Sequence, residues 1–238
     1  MNSWELKNRD IYNKLFKDYS DKQFEDSIQL FIERFKKWKI VPMKWFEGKT
    51  CLDVGCGQGR YLIALGRLKA KKAIGIDIND YAIKATKERP QFKEFKNIEI
   101  RKSSALDIPF NDSTFDFVIC SGVAHHTPNP KKVFDECTRV LKKNGIIYFA
   151  VYGKYWYWKL NNIFRIIAKA INFRTAVKLC EIIGIPANKR YNYLDNVYVP
   201  YWHTFREETI FEWADLDYKY FKRIEPKEKR FMRFIGVK

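Results

Sequence analysis

Leu52-Asp53-Val54-Gly55-Cys56-Gly57-Gln58-Gly59-Arg60 is the most informative stretch of the chain. An apolar strand runs straight into glycines at every second position and then into YLIALGRL at 61–68, which has the texture of a helix. Glycine permits a tight turn and lets a ligand lie against bare backbone. The next apolar run, KAIGID at 72–77, ends in Asp77, eighteen residues past Gly59, where a carboxylate can accept hydrogen bonds from a ribose diol. Strand, glycine turn, helix, strand and acid together describe an adenosine-type nucleotide site.

The spacing separates two cofactor classes. A dinucleotide fingerprint has the form G-x-G-x-x-G, its last glycine bringing the helix close enough to hold a pyrophosphate at its N-terminus. Gly55, Gly57 and Gly59 instead follow G-x-G-x-G, and Asp53 precedes them. A carboxylate is a poor neighbour for pyrophosphate and a good one for an ammonium or sulfonium group. The expected ligand is adenosine joined to a cationic group.

Outward from the turn, short apolar runs alternate with helical segments: CLDVG at 51–55, KAIGID at 72–77, IEIRKS at 98–103, FDFVICS at 115–121 and GIIYFAVYG at 145–153. This alternation predicts an α/β fold, a mainly parallel sheet with helices on both faces. After the fourth run, Asn129 is placed to cap a helix, Pro130 to open it and Asn144-Gly145 to end it. Residues 1–48 are expected to form covering helices, because apolar residues in FEDSIQLFIERFKKWKI recur at spacings of three and four until Pro42 interrupts them. Residues 49–153 form the nucleotide-binding core.

The rhythm breaks after Gly153. Residues 154–206 read as an insertion, a lid or substrate lobe. Helix is expected over 155–185, with Asn161, Asn162, Arg165, Lys169 and Asn172 along its polar stripe, followed by a loop rich in tyrosine (Tyr191, Tyr193, Tyr198, Tyr201). Residues 207–238 hold the body of the helix REETIFEWADL and two strand-like runs, YKYFKRIE and RFMRFIGV, that can close the sheet as an antiparallel pair.

Four ordered motifs, LDVGCGQGR, GIDI, ALDIPFNDSTFDFVICSGVAHH and VLKKNGIIYF, resemble the class I S-adenosylmethionine-dependent methyltransferases, especially the small-molecule, methyltransferase type 11-like branch. The likeness covers about residues 45–153. It implies a Rossmann-like, seven-stranded, mainly parallel sheet with an antiparallel last strand pair. S-adenosyl-L-methionine is the implied cofactor and S-adenosyl-L-homocysteine the product. The resemblance sets the loop of Asp53, Gly55, Cys56, Gly57 and Gly59 beneath the methionine part, Asp77 and Ile78 at the ribose, and Ser121, at the tip of the fourth strand, toward the transferred methyl. Ser104 and Ala105 fall at the adenine. Ser104 departs from the family, where an aspartate commonly accepts from the adenine amino group. That contact passes to the serine hydroxyl, to backbone or to nothing; Asp107, three residues on, replaces it only if the loop bends differently.

Methyl transfer needs alignment, exclusion of water and, for a hydroxyl or amine acceptor, a place for the proton. Candidate bases are His125 and His126, within SGVAHHTP at 121–128. Successive side chains point to different sides, so no more than one is expected to face the pocket, with His125 slightly preferred. A histidine at such a junction equally well fixes the loop through a backbone hydrogen bond. Tyr198, Tyr201 and His203 are candidate substrate contacts, able to frame a cationic or ring-shaped acceptor, or else part of the lobe's own core. Neither carboxylates nor cysteines have matching spacing around the histidines, so no metal is expected.

The chain has 238 residues, 46% apolar and 17% aromatic, enough for a sizeable core and contrary to intrinsic disorder. Five cysteines at 51, 56, 120, 137 and 180 form no CxxC pair and are expected as reduced, mostly buried thiols. With no apolar h-region at the start and no run long enough to span a bilayer, the expected location is cytoplasmic. The net charge of +17 draws anions, and residues 151–190 carry eight basic residues against one acid, Glu181. Three acceptor classes follow. A small molecule, a metabolite or sugar-like compound, anionic or neutral, is the leading one; RNA such as tRNA comes second. The third is a lipid, reached by peripheral membrane contact through 155–185. A non-enzymatic nucleotide-binding scaffold is the remaining reading, and the sequence carries no signal of oligomeric state.

Overall fold

The computed structural model describes residues 3–16, 20–38, 41–155, 165–166, 168, 170–185, 194, 197–224 and 231–238. Asn161, Asn162, Lys169, Tyr191 and Tyr193, together with the basic residues Lys159, Lys189 and Arg190, lie outside the described residues. Two helices, α1 (Ser3–Phe16) and α2 (Asp21–Trp38), precede the first strand. Seven strands follow: β1 (Thr50–Val54), β2 (Lys72–Asp77), β3 (Ile98–Lys102), β4 (Phe115–Ser121), β5 (Leu141–Tyr152), β6 (Tyr220–Arg223) and β7 (Phe231–Val237). They form one sheet in the order β3-β2-β1-β4-β5-β7-β6. Pairs are parallel up to β4–β5, whereas β7 runs antiparallel to both β5 and β6. The reversed last pair matches the sequence expectation. Between the strands lie α3 (Arg60–Arg67), α4 (Asp80–Glu88), the short α5 (Pro90–Lys93) and α6 (Pro130–Val140). After β5 come α7 (Phe173–Ile182) and α8 (Glu207–Ala214).

The two-residue period of the strands sorts their side chains into two cores. Cys51, Phe117, Ile119, Ile146, Tyr148 and Ala150 face α2 and α3, while Leu52, Val118, Cys120, Ile147, Phe149 and Val151 face α6 and α8. Central strands buried on both sides read as continuous apolar runs, which is why they were legible. On α2, Phe24, Ile28, Phe31 and Phe35 recur at spacings of four, three and four and are no more than 1% exposed. Each contributes about 1.5–3 kcal/mol of burial, so this helix is held by its stripe.

The helix after β4 starts as expected: Asn129 Oδ1 accepts from the Lys132 amide at 3.0 Å, with Pro130 in the first turn. It ends earlier than the sequence suggests, at Val140. Asn144-Gly145 is not its terminus but belongs to an irregular stretch of β5, where the register with β4 shifts between Phe115 and Phe117. There Asn144 takes φ +62° and its amide donates to the Lys238 carbonyl at 2.8 Å. Lys238, ninety-four residues on, captures a turn that local sequence assigns to the helix. Four cysteines are buried and Cys180 is half-buried, all unpaired. Among the described residues no helix is long and apolar enough to cross a membrane.

Candidate active site

The chain proceeds from β1 outward to β2 and β3, then returns to place β4 on the other side of β1. Such a reversal of strand order leaves a crevice outside the carboxyl ends of the two diverging strands. Here a cleft opens at that point, lined by residues 55–58, 77–79, 103–105 and 121–123 from the sheet's loops.

The glycine turn is built by close approach. Gly55 has φ +68°, and a Cβ on it would lie 2.2 Å from Val123 Cγ2, so the bare α-carbon lets β1 and the loop after β4 meet at the cleft wall. The Gly55 and Cys56 amides donate to the Ile76 carbonyl at 2.8 and 3.0 Å, sewing the turn to β2. Gly59, at φ +77°, does not line the cleft; a Cβ there would meet Thr86 Cγ2 at 2.5 Å, and its role is to let α3 start against α4.

Asp77 closes β2. Its Oδ2 accepts from the Gly57 amide at 2.8 Å and its Oδ1 from the Asn79 amide at 2.9 Å. Burial pushes its carboxyl pKa up, while the backbone donors of Gly57, Asn79 and Ile78 act against that rise. The carboxylate is thus aimed and held at the cleft with capacity for further donors. Ile78, Ser104 and Ala105 line the same end. The Ser104 hydroxyl oxygen accepts from the Leu106 amide at 3.3 Å, whereas Asp107 is exposed and outside the cleft. The loop does not bend Asp107 inward.

Asp53 lies behind the turn rather than in the cleft. It is 1% exposed, its Oδ2 has no hydrogen-bond partner among the described residues, and burial drives its pKa well up despite the nearby Arg60 charge. A cation placed close behind the turn would act against that rise and favour the charged carboxylate.

After β4 the chain forms a short 3₁₀ turn, Ala124–His126. His126 lines the cleft and His125 does not, the reverse of the sequence preference. The turn directs His125 inward, where its ring centroid lies 4.1 Å from that of Tyr152 and 6.0 Å from that of Phe231. Burial drives His125 well below the ordinary imidazole range. His126 directs Nδ1 to the Tyr201 carbonyl oxygen at 3.1 Å, and burial lowers its pKa to about 4 although that hydrogen bond opposes the fall.

Tyr198, Tyr201 and His203 do not line the cleft. Tyr198 donates its hydroxyl to the carbonyls of Ala168 and Ile171 at 3.1 and 2.8 Å. The Tyr201 ring packs edge-on against Trp4 at 5.9 Å, and His203 stacks nearly parallel to Tyr201 at 6.2 Å. These residues form the wall behind His126, and what reaches it from Tyr201 is a backbone carbonyl. Ser121 does line the cleft, 3.3 Å from the Tyr61 hydroxyl.

Sequence reading missed part of the lining. Trp4, Asn8, Arg9 and Tyr12 on α1 also line the cleft. Asn8 is 4% exposed and its Nδ2 donates to the His126 carbonyl at 3.1 Å, across 118 positions of sequence. Glu5, Asn8 and Tyr12 follow helical spacing, so a polar stripe was visible, but nothing local distinguishes a polar stripe facing a cleft from one facing water. Among the described residues no cluster of three or more metal-ligating side chains occurs.

These features suit S-adenosylmethionine: an anchored carboxylate for a diol, a backbone turn against which a chain can lie, apolar Ile78 and Ala105 for a flat base, and an orphaned buried carboxyl oxygen behind the turn for a cation. Residues 52–149 match the methyltransferase domain family. The demethylmenaquinone methyltransferase of Bacillus cereus (strain ATCC 10987 / NRS 248) is 29% identical over 136 residues, covering 55% of this chain and 57% of that protein. The chain thus spans little more than half the length of such curated relatives. Among solved structures, a S-adenosylmethionine-dependent methyltransferase of Thermotoga maritima, described as a possible histamine N-methyltransferase, superposes with a TM-score of 0.58 at 16% identity, over 96% of this chain and 98% of that one. The magnesium protoporphyrin IX methyltransferase of Synechocystis PCC 6803, solved with bound S-adenosylhomocysteine, gives 0.57 at 13% identity, over 96% and 93%. With the nucleotide-site geometry of β1, β2 and the glycine turn behind it, the match makes residues 52–149 a methyltransferase domain, in a fold similar to that of S-adenosylmethionine-dependent methyltransferases.

Proposed function

We propose that the protein transfers a methyl group from S-adenosylmethionine to a small-molecule acceptor that carries an ionisable hydroxyl or amine. The observation that carries this reading is one cleft that brings together Asp77 and the glycine turn with His126 and α1. When bound, S-adenosylmethionine supplies a methyl group on a sulfonium, activated for in-line displacement.

The chain's own residues then have distinct tasks. Asp77 accepts from the ribose diol, Ser104 and Ala105 border the adenine, and the backbone of residues 55–58 lies beneath the methionine part. Asp53, buried behind the turn with an unpartnered carboxyl oxygen, answers the ligand's positive charge from behind. His126 takes the acceptor's proton on Nε2. Its imidazole is neutral at physiological pH, and Nδ1 donates to a carbonyl, so the lone pair is on the other nitrogen. Protonation of His126 restores a positive charge as the sulfonium charge is lost, so the cleft never has to hold an extra one. Trp4 and Tyr12 provide flat apolar walls for a ring, and Arg9 an anion contact. Residues 154–206 act as the acceptor lobe by holding His126 through Tyr201. His125, turned away from the cleft, supports the loop.

The acceptor named for the Bacillus relatives, demethylmenaquinone, favours the small-molecule class over RNA. The test is to incubate the protein with S-adenosylmethionine carrying a labelled methyl and a cell extract, then fractionate. Label is expected in low-molecular-mass compounds; label in RNase-sensitive polymer would overturn the acceptor class. Absence of calorimetric binding of both donor and demethylated product would overturn methyl transfer itself.

A further inference from the structure

We infer that the outer face of α7 and the turn after it dock peripherally on an anionic lipid surface. Ten large apolar side chains are prominently exposed among the described residues, and five of these, Ile166, Ile171, Leu179, Ile182 and Ile183, fall within residues 165–185. Ile182 and Ile183 are 79% and 70% exposed, and none of the residues of α7 is buried. Leu179, Ile182 and Ile183 stand at i, i+3 and i+4, so they share one face. On α2 the equivalent apolar stripe is no more than 1% exposed at Phe24, Ile28, Phe31 and Phe35. A folded chain in water rarely leaves such a helix uncovered.

Charge identifies the occupant. Arg174 and Lys178 are exposed on the same helix beside the apolar face; the sequence of 151–190 holds eight basic residues against one acid, and among its described residues Lys154, Arg174 and Lys178 are the exposed basic ones. RNA would pair with the cations and leave the isoleucines in water. A second copy of the chain would set this basic excess against itself, within a protein of net charge +17. An anionic bilayer satisfies both features, taking the apolar side chains at the acyl boundary and the basic ones at the phosphates. The contact is peripheral, since no described helix is long and apolar enough to cross. The docking face is also tied to the cleft: Tyr198 binds the Ala168 and Ile171 carbonyls and packs edge-on against Phe173 at 5.1 Å, three residues before the Tyr201 carbonyl that holds His126.

The inference does not depend on methyl transfer and can fail separately from it. Co-sedimentation of the full chain with phosphatidylcholine vesicles, with and without phosphatidylglycerol, tests it. Binding is expected only to the phosphatidylglycerol vesicles. The doubly substituted I182D/I183D chain is expected to lose about tenfold or more in partitioning, with thermal midpoint and S-adenosylmethionine affinity unchanged because both side chains are on the outside. K178E should weaken binding in the same direction. Failure of the wild type to sediment overturns the inference. So does equal binding by I182D/I183D, which would reduce the effect to diffuse attraction by net charge. A concentration-dependent dimer abolished by I182D/I183D, without vesicle binding, would assign the face to a second copy instead.

Discussion

Nδ1 of His126 lies 3.1 Å from the carbonyl oxygen of Tyr201, seventy-five positions away in the chain. A carbonyl only accepts, so this nitrogen carries the proton and the other presents a lone pair. The tautomer of the proposed base is thus set by the backbone at Tyr201. His126→Ala is expected to lower the initial rate of label transfer by about 10²–10⁴-fold, the usual worth of a positioned base. Calorimetric affinity for S-adenosylmethionine should stay near wild type. A parallel collapse of both would mean that the ring only supports the loop.

Acid should weaken the fold through the same ring. Its folded pKa is about 4, against an ordinary value near 6.5 in the unfolded chain. Between those values the unfolded state binds more protons, so stability is complete above about pH 6.5 and declines as pH falls toward 4. His125 acts in the same direction. Each histidine contributes a slope of up to about 1.4 kcal/mol per pH unit. Asp53 and Asp77, with raised carboxyl pKa values, act in the opposite direction. Urea unfolding at pH 7 and pH 5 of wild type and His126→Leu therefore isolates the contribution of this ring as a difference. The variant should show the shallower acid loss.

Asp77 and Asp107 are separated by their positions. Asp77→Ala removes an anchored acceptor from the cleft and should weaken S-adenosylmethionine binding by roughly 10–100-fold, as expected for hydrogen bonds to a charged group. Asp107, exposed and outside the cleft, should tolerate alanine with unchanged affinity. Equal losses in calorimetry would contradict the placement of the ribose.

Two glycines give a controlled comparison. Gly48 and Gly55 have φ +77° and +68°, but a Cβ has nothing within 4 Å at Gly48 and meets Val123 Cγ2 at 2.2 Å at Gly55. Gly48→Ala should cost only the left-handed backbone penalty, about 1–2 kcal/mol. Gly55→Ala adds an overpacking cost of about 1–3 kcal/mol and disturbs the cleft wall. Denaturant midpoints should rank the two variants in that order, and adding Val123→Ala to Gly55→Ala should recover the packing part.

The amino-acid sequence by itself determined the central sheet, the glycine turn and Asp77. Strands such as FDFVICS are apolar because both of their faces are covered, and a turn that needs left-handed backbone at alternate positions shows its glycines directly; both constraints act on neighbours in the chain. Tertiary structure alone decided that His126 rather than His125 enters the cleft, that Asn8 and Trp4 line it too, and that Asn144 belongs to β5. Those outcomes depend on contacts 75 to 118 residues apart, such as His126 with Tyr201, Asn144 with Lys238 and Asn8 with His126. A loop has no period from which side-chain direction can be read, and a polar stripe on a helix has the same pattern whether it meets water or a ligand.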